Sequence, residues 1–207
     1  LGTIEPSIKD TLRYGLAGAI LAELALAGKI HCGATGEPTE GRLVVENPIP
    51  TGIDFLDAAL SAIAADAKPR KPGRWIEKLG NKQTLRQVAA RLEGRGVVRI
   101  EEKRLLWLIP YDVYPQRDAT AKYWIKRRLR ALVLAGGKVR PDDAALLSLL
   151  KACRLSKLVF TRDERKSAGK KVDALVQGEI FGAAVAQLLA DIEAGAAAAA
   201  VAAAAAG

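Results

Sequence analysis

The stretch YGLAGAILAELALAGKI, residues 14–30, decides the fold of this chain. Apolar residues recur at helical spacing through residues 7–27, and Gly28 follows as a helix stop. The residues that share this spacing are Ile8, Leu12, Leu16, Ile20 and Leu24. Glu23 interrupts an apolar run of about a dozen residues, whereas about 20 are needed to cross a bilayer. The pattern therefore predicts a core helix and not a transmembrane segment.

The rest of the chain predicts more helices and two small hairpins. Helices are expected at residues 54–65, 74–79, 84–93, 144–152, 166–176 and 180–193. Hairpins are expected where 29–32 pairs with 42–46, and where 97–100 pairs with 105–109 across a charged turn at 101–104. The predicted fold class is mainly α. A single globular helical domain with small β-hairpins is expected over residues 1–193, followed by an Ala-rich tail at 194–207.

Composition points to an anionic partner. The chain has 207 residues, half of them hydrophobic, and a formal net charge of +9. Nucleic acid, anionic lipid and acidic protein all suit a basic surface, and the excess charge can also serve solubility alone. Cys32 and Cys153 lie far apart without metal-ligand spacing, which favours reduced thiols in a cytoplasmic protein. The chain begins at Leu1 and contains no methionine, which indicates a natural amino terminus upstream.

A search for catalytic residues gives little. His31, which is the single histidine, precedes Cys32 on a predicted strand, and adjacent strand residues point to opposite faces. Asp54 and Asp57 are more simply explained as acidic residues at the start of a helix. No phosphate-binding glycine motif follows a predicted strand. We therefore expect no enzyme activity, no metal and no cofactor.

The second predicted hairpin is unusually apolar. Its second strand and the following turn carry nine apolar or aromatic residues: Leu105, Leu106, Trp107, Leu108, Ile109, Pro110, Tyr111, Val113 and Tyr114. Strand alternation would bury only every other one of them. Either the strand is buried on both faces, or part of it contacts another subunit or a bilayer, whose interface favours Trp and Tyr. Leu106, Trp107, Leu108, Ile109 and Tyr111 are the candidate membrane-inserting residues.

Basic residues precede and follow this hairpin. They are Lys68, Arg70, Lys71, Arg74, Lys82, Arg86, Lys122, Lys126, Arg127, Arg128 and Arg130. Each cation held near an anionic leaflet contributes about 1 kcal/mol. The spacing of Lys126, Arg127 and Arg130 predicts a ridge on one helix.

Several motifs resemble the Golgi phosphoprotein 3 family. The helix at 14–30 is followed by PTGIDFLDAAL at 50–60, in the order that the family shows. WIEKL at 75–79, RLEGRGVV at 91–98 and DDAALLSLLKAC at 142–153 extend the resemblance over most of residues 8–185. The Ala-rich composition, without an arginine-rich amino-terminal segment, is similar to bacterial members. The resemblance implies a peripheral membrane protein that binds anionic lipid.

The family's lipid site can be compared position by position. In eukaryotic members, a Trp and an Arg of the first helix and two basic residues before the hairpin hold phosphatidylinositol 4-phosphate. The matching residues here are Ile8, Ala17, Lys82 and Leu85, so Lys82 alone keeps its chemistry. Arg86, next to Leu85, and Arg13, one turn from Ala17, are candidates to complete a head-group site with Lys82.

These observations favour a peripheral membrane protein in the cytoplasm that binds anionic membrane lipids. Cytosolic tails of membrane proteins are expected as further partners, and the chain could assemble as a homo-oligomer. One alternative is a winged-helix protein that binds nucleic acid, because the helix at 84–93 precedes a hairpin and carries Arg86, Gln87 and Arg91. The apolar hairpin disfavours this alternative. A second alternative is an adaptor or oligomer that buries the hairpin against protein.

Overall fold

The computed structural model describes residues 6–105, 108–184 and 186–187. The elements are α1 (Pro6–Leu26), β1 (Ile30–Cys32), β2 (Leu43–Val45), α2 (Asp54–Ala64), α3 (Pro72–Leu79), α4 (Lys82–Gly94), β3 (Glu101–Leu105), β4 (Ile109–Val113), α5 (Thr120–Ala135), α6 (Pro141–Ala152), a 3-10 turn (Ser156–Leu158) and α7 (Arg165–Leu175). Residues 180–184 and 186–187 are also helical. The predicted class, mainly α with small hairpins, is confirmed. The predicted tail at 194–207 lies outside the described residues.

Helix α1 is the centre of the larger core. It packs against α2, α3, α4, α6 and β1. Leu21 and Leu24 are fully buried, together with Trp75 and Ile76 of α3. Gly28 follows the helix with a φ of +64°, which glycine adopts without steric cost. Of the residues at the predicted apolar spacing, Ile20 and Leu24 are buried, whereas Leu12 and Leu16 are half-buried.

Helix α6 joins this core to a second one. Ala145 and Leu149 belong to the α1 cluster, whereas Leu147 packs with Leu129 of α5 and Val172 of α7. Residues two apart on a helix point in different directions, so α6 can contribute to both clusters.

The PTG segment owes its shape to one carboxylate. Asp57, in the first turns of α2, accepts hydrogen bonds from the Thr51 amide and hydroxyl, both at 2.6 Å, and from the Gly52 amide at 3.1 Å. These bonds, those from Thr51 first, hold the pKa of Asp57 below its ordinary value. Asp57 therefore ties the loop to the start of α2.

The predicted register of the second hairpin is wrong. Residues 101–104, expected as its turn, form strand β3, which pairs antiparallel with β4 from Glu101 opposite Val113 to Leu105 opposite Ile109. Charged residues are tolerated because Lys103 and Arg104 are exposed on a ribbon of only two strands. The strands are instead joined through residues 106–108, where the sequence is apolar.

Candidate functional site

A groove of about 580 Å³ lies between α4 and the β3–β4 hairpin. Its lining residues are Lys82, Gln83, Leu85, Arg86, Gln87, Glu102, Pro110, Tyr111, Asp112 and Tyr114. Two of the three predicted head-group residues, Lys82 and Arg86, and one predicted hairpin residue, Tyr111, therefore meet at one place. The structure brings Tyr111 to Lys82 and Arg86, although Tyr111 follows both by more than 20 positions in the sequence.

Local sequence explains how α4 presents its cations. The side chain of Asn81 caps the helix by accepting the Thr84 amide at 3.0 Å. Thr84 and Ala89 are buried, whereas Lys82 and Arg86 are exposed. Because these two cations are four residues apart, they lie on the same face of α4.

Arg86 is held by the hairpin. Its Nε lies 2.7 Å from Asp112 Oδ2 and its Nη2 lies 3.1 Å from Asp112 Oδ1, which is a bidentate ion pair. The hydrogen bond to Asp112 raises the pKa of Arg86. Tyr114 lies beside this pair, and burial, followed by the charge of Asp112, raises the pKa of its phenol. The pair fixes the position of the hairpin against α4.

The groove is therefore mixed in charge. Glu102 and Asp112 contribute two carboxylates to a lining that has two cations, Lys82 and Arg86. Within the described residues, Lys82 forms no ion pair, whereas Arg86 is bound to Asp112. An incoming anion would meet Lys82 as the available cation and would reach Arg86 only in competition with Asp112.

The hairpin end is exposed where the structure describes it. Leu108 lies in the turn and is 84% exposed, while Tyr111 is half-buried in the groove. Ile109 begins β4 opposite Leu105. Leu106 and Trp107 lie outside the described residues. The observed register thus places Leu108 in the turn and Ile109 beside it, whereas Tyr111 lies in the middle of β4.

The remaining head-group positions lie elsewhere. Arg13 is half-buried on α1 and does not line the groove. Ala17, which matches the family's arginine position, is completely buried in the core. Ile8 lies in the first turn of α1. Leu85 is half-buried and lines the groove.

The predicted ridge on α5 is present in part, because Lys126, Arg127 and Arg130 line one surface pocket, but Arg130 is held in an ion pair. Arg130 is bound to Glu164 of the segment before α7 and donates to the Val159 carbonyl at 3.2 Å. The hydrogen bond from Arg130, followed by that from the Thr161 amide, lowers the pKa of Glu164 to about 2. Arg130 therefore stabilises the fold, and the spacing that suggested a ridge could not reveal a partner 34 residues away.

Other basic residues are also in ion pairs. Arg70 is paired with Asp66, Arg74 with Glu77, and Arg128 with Asp143 at 2.8 Å. Six of the eleven predicted basic residues form no ion pair within the described ranges: Lys68, Lys71, Lys82, Lys122, Lys126 and Arg127. The positive charge available to a partner is smaller than the sequence indicates.

Sequence reasoning missed two features. Asp112 was not considered as a partner of Arg86, because their pairing depends on the hairpin register. Tyr123, Trp124 and Ile125 on α5 are exposed by about half, although aromatic residues before a basic run could have signalled a surface role.

The described residues contain neither a metal-binding cluster nor a membrane-spanning helix. In the part of the chain that the structure describes, no three His, Cys, Asp or Glu side chains come close enough to hold a metal ion. None of the described helices is both long enough and apolar enough to cross a bilayer. His31 is exposed, and its Nδ1 lies 2.7 Å from Glu46 Oε2. Burial raises the pKa of Cys153 to about 11, so its thiol is protonated at neutral pH.

These features define a mainly helical domain with a surface groove beside a two-stranded hairpin. The chain belongs to the Golgi phosphoprotein 3 (GPP34) family, whose model matches residues 2–192. It is similar to vacuolar protein sorting-associated protein 74 of Eremothecium gossypii, with 29% identity over 144 residues, 61% of this chain. The match covers 43% of that relative, so the chain spans less than half the length of this curated protein.

Proposed function

We propose that this chain is a non-enzymatic peripheral membrane protein that binds anionic lipid, with a phosphoinositide-type head group, on the cytoplasmic face of a membrane. The groove between α4 and the hairpin is the head-group site, and the turn at 106–108 is the inserting element. Family membership over residues 2–192 supports the class of function. We also propose cytosolic tails of membrane proteins as partners and a homo-oligomer as the assembly.

One juxtaposition carries the proposal. Lys82 and Arg86 line the same groove as Tyr111, and strand β4, which carries Tyr111, follows directly after the exposed Leu108. A cation attracts the phosphate of an anionic lipid, and an exposed apolar turn gains free energy by leaving water for the acyl region. The two contributions act at one surface because the hairpin is tied to α4 through Arg86 and Asp112.

The mixed charge of the groove also determines selectivity. Because Lys82 alone matches the family's four positions and Asp112 competes for Arg86, we expect binding to follow total negative surface charge. It should weaken steeply as salt is added. Single alanine substitutions of Lys82 and Arg86 should each lower affinity by about fivefold, whereas a formed pocket would lose most of its affinity from one change. R13A should change affinity little, because Arg13 does not line the groove.

Sedimentation with vesicles tests the proposal. The full chain is mixed with neutral, phosphatidylserine-containing and phosphoinositide-containing vesicles, and a nonspecific DNA duplex is tested in parallel. Binding to both anionic compositions and none to neutral vesicles is expected. Tight binding to the duplex with no vesicle binding would replace the proposed function by the nucleic-acid alternative.

A further inference from the structure

The first half of α5 extends beyond the core. Leu129 and Val133 are fully buried, but Ile125, one turn earlier on the same face, is 44% exposed. Every residue from 121 to 128 is exposed, so both the apolar and the polar faces of this segment are open to solvent within the described structure. We call Lys122, Tyr123, Trp124, Ile125, Lys126 and Arg127 the α5 tip.

Aromatic side chains make up much of the α5 tip. The rings of Tyr123 and Trp124 pack edge to face, with centroids 5.4 Å apart, and both residues are more than half exposed. The guanidinium of Arg127 lies 5.3 Å from the centre of the Trp124 ring. Such rings combine an apolar body with a polar edge, which suits the boundary between water and lipid.

The charge of the α5 tip is unbalanced. Lys122, Lys126 and Arg127 form no ion pairs within the described part of the chain, in contrast to Arg128, which is bound to Asp143. The first turn of α5 contains Lys122 and no acidic residue. Asp118, just before α5, accepts the Thr120 amide at 2.8 Å, so the three cations of the α5 tip outnumber the carboxylate at this helix end.

From these contacts and charges we infer that the α5 tip is a second membrane contact, in which Tyr123 and Trp124 lie at head-group level and the three cations bind lipid phosphates. A second copy of the chain is a poorer occupant, because two tips in contact would bring their cations together. Nucleic acid is also a poorer occupant, because contact with its phosphates would not bury the exposed apolar side chain of Ile125. The inference rests on the proposed function and adds a second contact to it.

Tryptophan fluorescence can test the α5 tip separately from the hairpin. The chain has three tryptophans, and Trp75 is only 1% exposed, which makes it a constant background. W107F leaves Trp124 as the reporter, and W124F leaves Trp107. Each full-length variant is measured with phosphatidylcholine–phosphatidylserine vesicles that carry bromine near the head group or deep in the acyl chains, at concentrations that sediment all of the protein.

Trp124 in W107F should shift to shorter emission wavelengths and be quenched more strongly by shallow than by deep bromine. K126A/R127A should lower vesicle affinity by about twenty-five-fold at low salt, since each cation contributes about a factor of five. K166A/K170A is the matched control, because it removes two exposed cations from α7. It should change affinity by less than about threefold.

Each contrary result has a separate meaning. Full sedimentation without quenching of Trp124 would overturn the inference and leave the proposed function intact. Failure of the unsubstituted chain to sediment with any anionic vesicle would overturn both. A wavelength shift of Trp124 that appears with protein concentration alone, or with duplex DNA and not with vesicles, would assign the α5 tip to self-association or to nucleic acid.

Discussion

Arg86 on α4 and Asp112 on β4 form a bidentate ion pair across the edge of the candidate lipid site. Asp112 is only 16% exposed, whereas Arg86 is 65% exposed. The pair therefore has two consequences. It holds the hairpin against the helix, and it occupies a cation that a lipid head group would otherwise bind.

D112N should increase affinity for anionic vesicles by about fivefold, because it removes one negative charge and releases Arg86 from its ion pair. Vesicle sedimentation at low salt measures the change. D173N is the matched control, because Asp173 is paired with Lys151 on a surface away from the groove. Equal increases in the two variants would show that only net charge had changed.

L108S should weaken vesicle binding with almost no loss of thermal stability, because an 84% exposed side chain contributes to membrane partitioning and little to packing. The combined W107S/L108S variant should lose more affinity. I49S is the control, since Ile49 is also exposed but lies in the loop after β2. Unfolding of the hairpin variants would identify the turn as core and contradict its inserting role.

Gly15→Ala should destabilise the fold by about 1 kcal/mol. A Cβ at this position would lie 2.6 Å from Cys153 Sγ, and Cys153 is buried with its thiol 3.6 Å from the Thr11 carbonyl oxygen. Overpacking costs about 1–3 kcal/mol, which exceeds the gain of about 1 kcal/mol in helix propensity.

The double substitution checks this cause. In a C153A background, where the sulfur is absent, G15A should become neutral or stabilising, by up to about 1 kcal/mol. Urea unfolding of the four proteins in this cycle measures the coupling. A similar loss in both backgrounds would mean that the close approach of α1 to α6 is not the cause.

The Arg130–Glu164 pair should make stability depend on pH in acid. The pKa of Glu164 is about 2 in the folded protein, below its ordinary value of 4.5. Its contribution is therefore fully present above 4.5 and is lost as the pH falls through about 2. The difference in melting temperature between the unsubstituted chain and E164Q should shrink over this window.

The exposed neighbour Asp163 provides the comparison for this experiment. D163N should leave the acid dependence nearly unchanged, because the ion pair of Glu164 with Arg130 remains. If E164Q and the unsubstituted chain kept a constant difference in melting temperature down to pH 2, the pair would not be the origin of the acid sensitivity.

The sequence predicts α1 well because one apolar stripe and Gly28 both act locally. It predicts the β3–β4 hairpin poorly, because Glu101 to Arg104 have the composition of a turn but occupy exposed strand positions. The Arg86–Asp112 pair depends on that register, so the sequence alone could not predict it. The sequence indicates the cations of the α5 tip but not its exposed apolar residues, because the spacing of Ile125 and Leu129 is the same whether or not a partner covers Ile125.

The most direct test of the central claim compares vesicle affinities of the unsubstituted chain, K82A and K166A, using phosphatidylserine-containing vesicles at low salt. Both variants lose one exposed lysine, but only Lys82 lines the groove. We predict that the unsubstituted chain binds, that K82A binds about fivefold more weakly, and that K166A is nearly unchanged. Equal losses in the two variants, or no binding by the unsubstituted chain, would contradict the assignment of this groove as the anionic-lipid site.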